Sequence, residues 1–109
     1  MPRHTRPRPE LCPDLEVAAA AFGSREDLAI LAFLGRVESA MAPEVCDALG
    51  MALNTAHGHL GRLESLRLVH ADVPAGSRRG RTVRYALDRA AAASAVDKMK
   101  AALLSGRRG

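Results

Sequence analysis

Residues 43–69 read Pro-Glu-Val-Cys-Asp-Ala-Leu-Gly-Met-Ala-Leu-Asn-Thr-Ala-His-Gly-His-Leu-Gly-Arg-Leu-Glu-Ser-Leu-Arg-Leu-Val, and the fold turns on this stretch. It predicts two short helices joined by a tight turn. Pro43 suits a first helical turn, where its missing N–H would have had no partner. Val45, Ala48 and Leu49 then share one face at helical spacing. Gly50 is placed to stop the helix in the left-handed conformation. The chain restarts within about three residues, the length of a helix-turn-helix connection.

The second helix, about 53 to 66, has an inside and an outside. Leu53, Ala56, Leu60 and Leu63 form one stripe, and Asn54, Gly58, Gly61, Arg62 and Ser65 lie opposite. Each glycine costs a helix interior about 1 kcal/mol relative to alanine. A helix that carries two on its exposed face is making room for another backbone, such as a DNA strand, or is held by tertiary packing in spite of them. Both readings stay open at this point.

Outward from this pair, the pattern continues on both sides. Asp14 is placed to cap a helix over 15–22, with Leu15, Ala18, Ala19 and Phe22 as its apolar face and Gly23 as its stop. Ser24 starts a helix over about 25–36, with Asp27 completing a partial capping box. Leu28, Ile30, Leu31, Phe33 and Leu34 make that helix the buried centre. Residues 37–42 are a connector, of which Met41 and Ala42 suit a sheet edge. Leu68 to Val73 alternates as a strand, and 82–87 is a second strand with Val83, Tyr85 and Leu87 inward. Pro74-Ala75-Gly76-Ser77 marks the turn between them. Arg78, Arg79 and Arg81 fall in that loop, about 74–82, and give the hairpin a cationic tip. A charge run is usually a solvated loop, but this one interrupts a hairpin that follows a reader helix, which favours nucleic acid. Asp88 caps a last helix over 89–104, with Ala92, Ala95, Val96, Met99 and Leu103 as its stripe.

The expected fold class is mainly α with a small β-hairpin (α+β), about five helices and a two- or three-stranded wing sheet. The chain divides into a flexible basic Pro/Arg arm at 1–13, a helix-turn-helix domain with a wing at 14–88, a packing or dimerisation helix at 89–104 and a basic tail at 105–109. The arm, with Arg3, Arg6 and Arg8, is either inert or touches phosphates.

Composition narrows the function. With 109 residues there is room for one domain, and 48% hydrophobic residues make it globular rather than disordered. Aromatics are only 3%, which argues against base-stacking single-strand binders. The net charge of +4 is compatible with a polyanionic partner. Met1 is followed by a basic, proline-containing tail, with no apolar run of membrane-spanning length or signal-peptide pattern. A cytoplasmic location is expected, and two cysteines make no disulfide framework. No Gly-rich phosphate loop, His-Glu-x-x-His, Gly-x-Ser-x-Gly or Cys-x-x-Cys is present, so an enzyme is not expected and no cofactor is implied.

The run Pro43 to Met51 followed by Thr55 to Val69 resembles the winged helix-turn-helix of ArsR-like bacterial repressors, with MarR-like repressors as second choice. His59-Leu60 and Leu63 match the family's His-Leu-x-x-Leu, and Arg67-Leu68-Val69 stands where the family has Gly-Leu-Val. Ala52 sits where the family prefers Ser, which leaves Asn54 or Thr55 to cover an open amide. The segment Phe22 to Leu34 resembles the one that precedes the reader in that family. The likeness spans roughly residues 15–88 and implies a homodimer, joined through the terminal helices, that binds double-stranded DNA and regulates transcription as a repressor. Asn54 and Arg62 are the expected base readers, and Thr55, His57 and Gly58 flank them. His59 is expected to be structural or phosphate-facing. Arg78, Arg79, Arg81 and Arg84 would add phosphate or minor-groove contacts. Rival readings are a winged-helix module that docks protein, and a plasmid or phage DNA-organising factor.

Some ArsR-like repressors bind thiophilic metals through Glu-Leu-Cys-x-Cys-Asp-Leu. Here the run is Ala42-Pro43-Glu44-Val45-Cys46-Asp47-Ala48, with Glu44 in place of one cysteine. Soft metals want several thiolates or imidazoles, so no metal is expected. Thiol sensing by Cys12 and Cys46 is the minor alternative to a small buried cysteine in a helix.

Overall fold

The computed structural model describes residues 10–105, so the expectations for Arg3, Arg6, Arg8, Arg107 and Arg108 lie outside the described residues. The chain runs α1 (Pro13–Phe22), α2 (Arg25–Gly35), β1 (Ala40–Met41), α3 (Ala42–Leu49), α4 (Leu53–Ser65), β2 (Val69–Ala71), β3 (Arg84–Leu87) and α5 (Arg89–Leu104). Between β2 and β3, Ala75–Ser77 makes one 3-10 turn.

Most helix ends follow local chemistry. The Ser24 hydroxyl accepts from the Asp27 N–H, and the Asp88 carboxylate accepts from the Ala91 N–H. Gly50 ends α3 at φ +67, a conformation an L side chain resists. The Met41 N–H donates to the Glu44 carboxylate at 2.7 Å, half of a capping box. Two ends differ from expectation. Pro13 is not part of the arm: it occupies the first turn of α1, with Cys12 rather than Asp14 at the N-cap. Neither Asn54 nor Thr55 caps α4, whose N-cap Ala52 has no side-chain bond.

The three strands form one antiparallel sheet in the order β1-β3-β2. Ala40 faces Tyr85 on one side of β3, and Val69 faces Leu87 and Ala71 faces Tyr85 on the other. The edge strand is therefore 40–41, one residue earlier than its sequence position suggested. The core lies between α2, α3, α4 and this sheet, and Ile30, Leu34, Val45, Ala56, Leu60, Leu63 and Val69 are all buried in it. Helix α5 packs against α1 and buries no residue fully.

The apolar stripes are partly rotated from expectation. In α2 the buried set is Asp27, Ile30, Leu31 and Leu34, whereas Leu28 is exposed. Asp27 takes the inward position because it has partners there, and its side chain does not reach back as a cap. In α1 the buried pair is Ala18 and Ala21, and Ala19 is exposed. Leu53, expected inside α4, is exposed at the helix's first residue, where the packed face has run out. No helix among the described residues is long and apolar enough to cross a membrane.

Candidate nucleic-acid interface

The buried stripe of α4, Ala56, Leu60 and Leu63, fixes which side of that helix faces solvent. Asn54, Thr55, His57, Gly58 and Gly61 are exposed on it. A Cβ added at Gly58 or Gly61 would meet no atom of the chain within 4 Å. Packing inside the molecule therefore has no need of either glycine, and both leave the outer surface of α4 low.

His59 and Arg62 behave differently from their neighbours. The His59 ring and the Arg62 guanidinium both bind the carboxylate of Asp27, which is fully buried in α2. His59 Nδ1 lies 2.7 Å from Asp27 Oδ1, and Arg62 Nη2 binds Oδ2. The expectation that Arg62 points outward as a base reader is corrected to this extent: its head is turned back to α2. Its side chain is still 46% exposed.

The wing arginines divide into two pairs. Arg78 donates from Nε to the Val73 carbonyl at 2.8 Å and from Nη2 to Glu64 of α4 at 2.6 Å. It also covers the Tyr85 ring, 5.8 Å from the centroid. The hydrogen bond to Glu64 raises the Arg78 pKa above its ordinary value, and burial pushes the Tyr85 phenol up. Arg84 donates to the Ser39 hydroxyl at 2.8 Å and lies 3.8 Å from Glu44. Both were expected to be free cations of the wing. Both instead tie it down, Arg78 to α4 and Arg84 to the chain before β1. Arg79 and Arg81 remain exposed on the loop, and Gly80 between them turns the backbone at φ +71.

A groove of about 490 Å³ separates α4 from the wing. His57 and Gly61 form one wall, Arg81, Thr82 and Val83 the other, and Met41, Ala42 and Pro43 its end. A helix with a low polar face, a groove and two exposed guanidiniums thus stand side by side.

The chain has the winged-helix fold of ArsR-family regulators. An ArsR-like transcriptional regulator from Rhodococcus sp. RHA1 superposes with a TM-score of 0.64 over 80% of this chain and 76% of that one, at 23% identity. A homodimeric winged helix-turn-helix DNA-binding domain from Mycobacterium bovis gives 0.58 over 88% and 87%, also at 23% identity. The antimony-specific repressor AntR gives 0.61 over 80% and 75%, at 18% identity. No family model and no curated protein matches the chain by sequence. In winged-helix terms α3 and α4 are the helix-turn-helix, and β2, β3 and their loop are the wing.

Sequence reasoning did not anticipate Asp27 and Glu64 as the anchors of this surface. Asp27 was detectable: it falls three, four and seven residues before Ile30, Leu31 and Leu34, on the buried stripe, where a charge demands a partner. Glu64 carried no such signal. The two cysteines are free thiols, Cys12 exposed before α1 and Cys46 half-buried in α3. Among the described residues no three His, Cys, Asp or Glu side chains cluster as metal ligands do.

Proposed function

We propose that this winged helix binds double-stranded DNA as a homodimer and regulates transcription, as a repressor that occupies its operator. One observation carries the reading: the exposed face of α4, with Asn54, Thr55, His57 and Gly58, stands beside a wing whose Arg79 and Arg81 are exposed. Asn54 offers the donor and acceptor pair that matches adenine, and Arg79 and Arg81 supply phosphate contacts. The similar domain from Mycobacterium bovis is described as homodimeric and DNA-binding, and AntR as a transcriptional repressor. Helices α1 and α5 supply the dimer face here, since Val17, Val96, Leu103 and Leu104 are exposed apolar side chains on them. A two-fold dimer would present two reader helices about one DNA turn apart.

The test is selection of bound duplexes from random DNA, followed by titration against salt. A palindromic consensus is expected. Binding should weaken steeply with salt, and changing Arg79 and Arg81 to Ala should shallow the log–log slope by about 0.9 for each lost phosphate contact. Affinity indifferent to salt, or no enrichment of any sequence, would sink the reading and favour a protein-docking module.

A further inference from the structure

Asp27 is a fully buried charge on the face of α2 that otherwise carries Ile30, Leu31 and Leu34. A carboxylate survives in such a place only when paired and hydrogen-bonded. Both of its partners come from α4, 32 and 35 residues further along the chain. Each carboxylate oxygen holds one of them: Oδ1 meets His59 Nδ1 at 2.7 Å, and Oδ2 meets Arg62 Nη2. Arg62 Nη2 also lies 3.4 Å from His59 Nδ1.

Two consequences follow from this geometry. Apolar contacts among Ala56, Leu60 and Leu63 hold α4 by area and tolerate small rotations. A charged, two-pronged hydrogen-bonded contact is directional and sets the angle of α4 about its own axis. Gly58 adjoins His59, and Asn54 and Thr55 lie one turn before it, so that angle also sets where the outer face points. The second consequence is a subtraction. Asp27 holds the Arg62 guanidinium by Nη2 and so keeps the head against α2 rather than reaching out to a phosphate.

We propose that Asp27 is the positioning residue of DNA recognition in this protein: it holds the reader helix at its working angle and withholds Arg62 from the phosphate backbone. The effect is to trade sequence-independent affinity for discrimination. This rests on the DNA-binding reading above and deepens it.

The experiment measures fluorescence anisotropy of the full chain with two duplexes, one enriched by selection and one scrambled, over a range of salt. It compares the unaltered protein with Asp27→Asn, Arg62→Gln and the double variant, each checked for folding by circular dichroism. Asp27→Asn is expected to release Arg62. Affinity for the scrambled duplex then rises, and its salt slope steepens by about 0.9 per protomer. The ratio of selected to scrambled affinity falls about tenfold, the size of one lost base contact. Arg62→Gln should lower that ratio while leaving the salt slope unchanged, and the double variant should show no steepening.

A slope made shallower by Arg62→Gln would mean that Arg62 already grips a phosphate, which overturns the proposal. So would an Asp27→Asn protein that melts lower but keeps the full ratio, since Asp27 would then serve stability alone. If Asp27→Asn does not fold, Arg62→Gln decides by itself, because it keeps the Asp27–His59 contact and reads both slope and ratio. An unaltered chain that binds neither duplex overturns the DNA reading and this role with it. Normal, salt-dependent binding with an unchanged ratio in the variants overturns only the role of Asp27.

Discussion

Arg67 shows how one residue can sit against its own preference. It follows the last turn of α4 at φ +65, the single non-glycine residue with positive φ among those described. The Arg67 N–H donates to the Glu64 carbonyl and the Leu68 N–H to the Leu63 carbonyl, the paired bonds of a glycine-type helix stop. Arginine tolerates that conformation poorly, because its Cβ crowds the backbone. Arg67→Gly is therefore expected to stabilise the fold by about 1 kcal/mol, measured by urea denaturation. An unchanged or lower midpoint would show that the arginine carries no strain. The substitution in a glycine's place was visible in the run Arg67-Leu68-Val69. Whether the backbone there still turned left-handed was not, since the same residues also continue as extended chain. The partners of Arg62 and Arg78 were hidden for a related reason: a sequence shows a long cation, but not the carboxylate that lies 35 or 14 residues away from it.

At the scale of elements, α4 offers a contrast between stability and function. Gly58 and Gly61 have free space where a Cβ would go. Changing each to Ala should add about 0.5–1 kcal/mol to stability, by the helix propensity of alanine. If DNA backbone approaches this face, the same changes should weaken duplex binding, so melting temperature and affinity would move in opposite senses. Stabilisation with unaltered affinity would mean that the glycines are merely tolerated. The start of α5 carries a pH-dependent cap. The Asp88 carboxylate accepts from the Ala91 N–H and meets His70 Nε2 at 2.7 Å, and the backbone bond above all holds its pKa below the ordinary value. The unfolded chain then takes up this proton more readily than the folded one. Asp88 contributes stability fully above the ordinary carboxylate range, and the contribution is lost as pH falls through the depressed value. Asp88→Ala should lower the melting temperature at about pH 6, and the gap from the unaltered protein should close towards about pH 2. A gap that stays constant over that range would assign the cap's effect to packing. Helix positions were legible because caps and the 3.6 repeat act within a few residues. The rotation of α2, with Asp27 inside and Leu28 outside, depended on partners supplied by α4.

For the whole molecule, the question is what covers α1 and α5. Val96 is 46%, Leu103 61% and Leu104 72% exposed, an apolar cost that a second copy of the chain would remove. Changing Val96 and Leu103 to Glu is expected to give a monomer in sedimentation velocity at micromolar concentration. Its duplex affinity should fall, because two linked half-sites become two independent ones. The wing's salt slope per protomer should persist. A dimer that survives both charges would place the interface elsewhere.

Local chemistry written into the chain determined the order of helices and strands, the stop at Gly50, the caps at Ser24 and Asp88 and the arginine-rich loop between two strands. Those features need only neighbours within a turn or two. Tertiary structure alone decided which cations stay free. Arg62 and Arg78 found carboxylates on other helices and Arg84 the hydroxyl and carbonyl of Ser39, whereas Arg79 and Arg81 stayed exposed on the loop. The physical reason is range: a helix bond closes over four residues, but a guanidinium chooses its partner only after the fold has brought distant segments within about 3 Å.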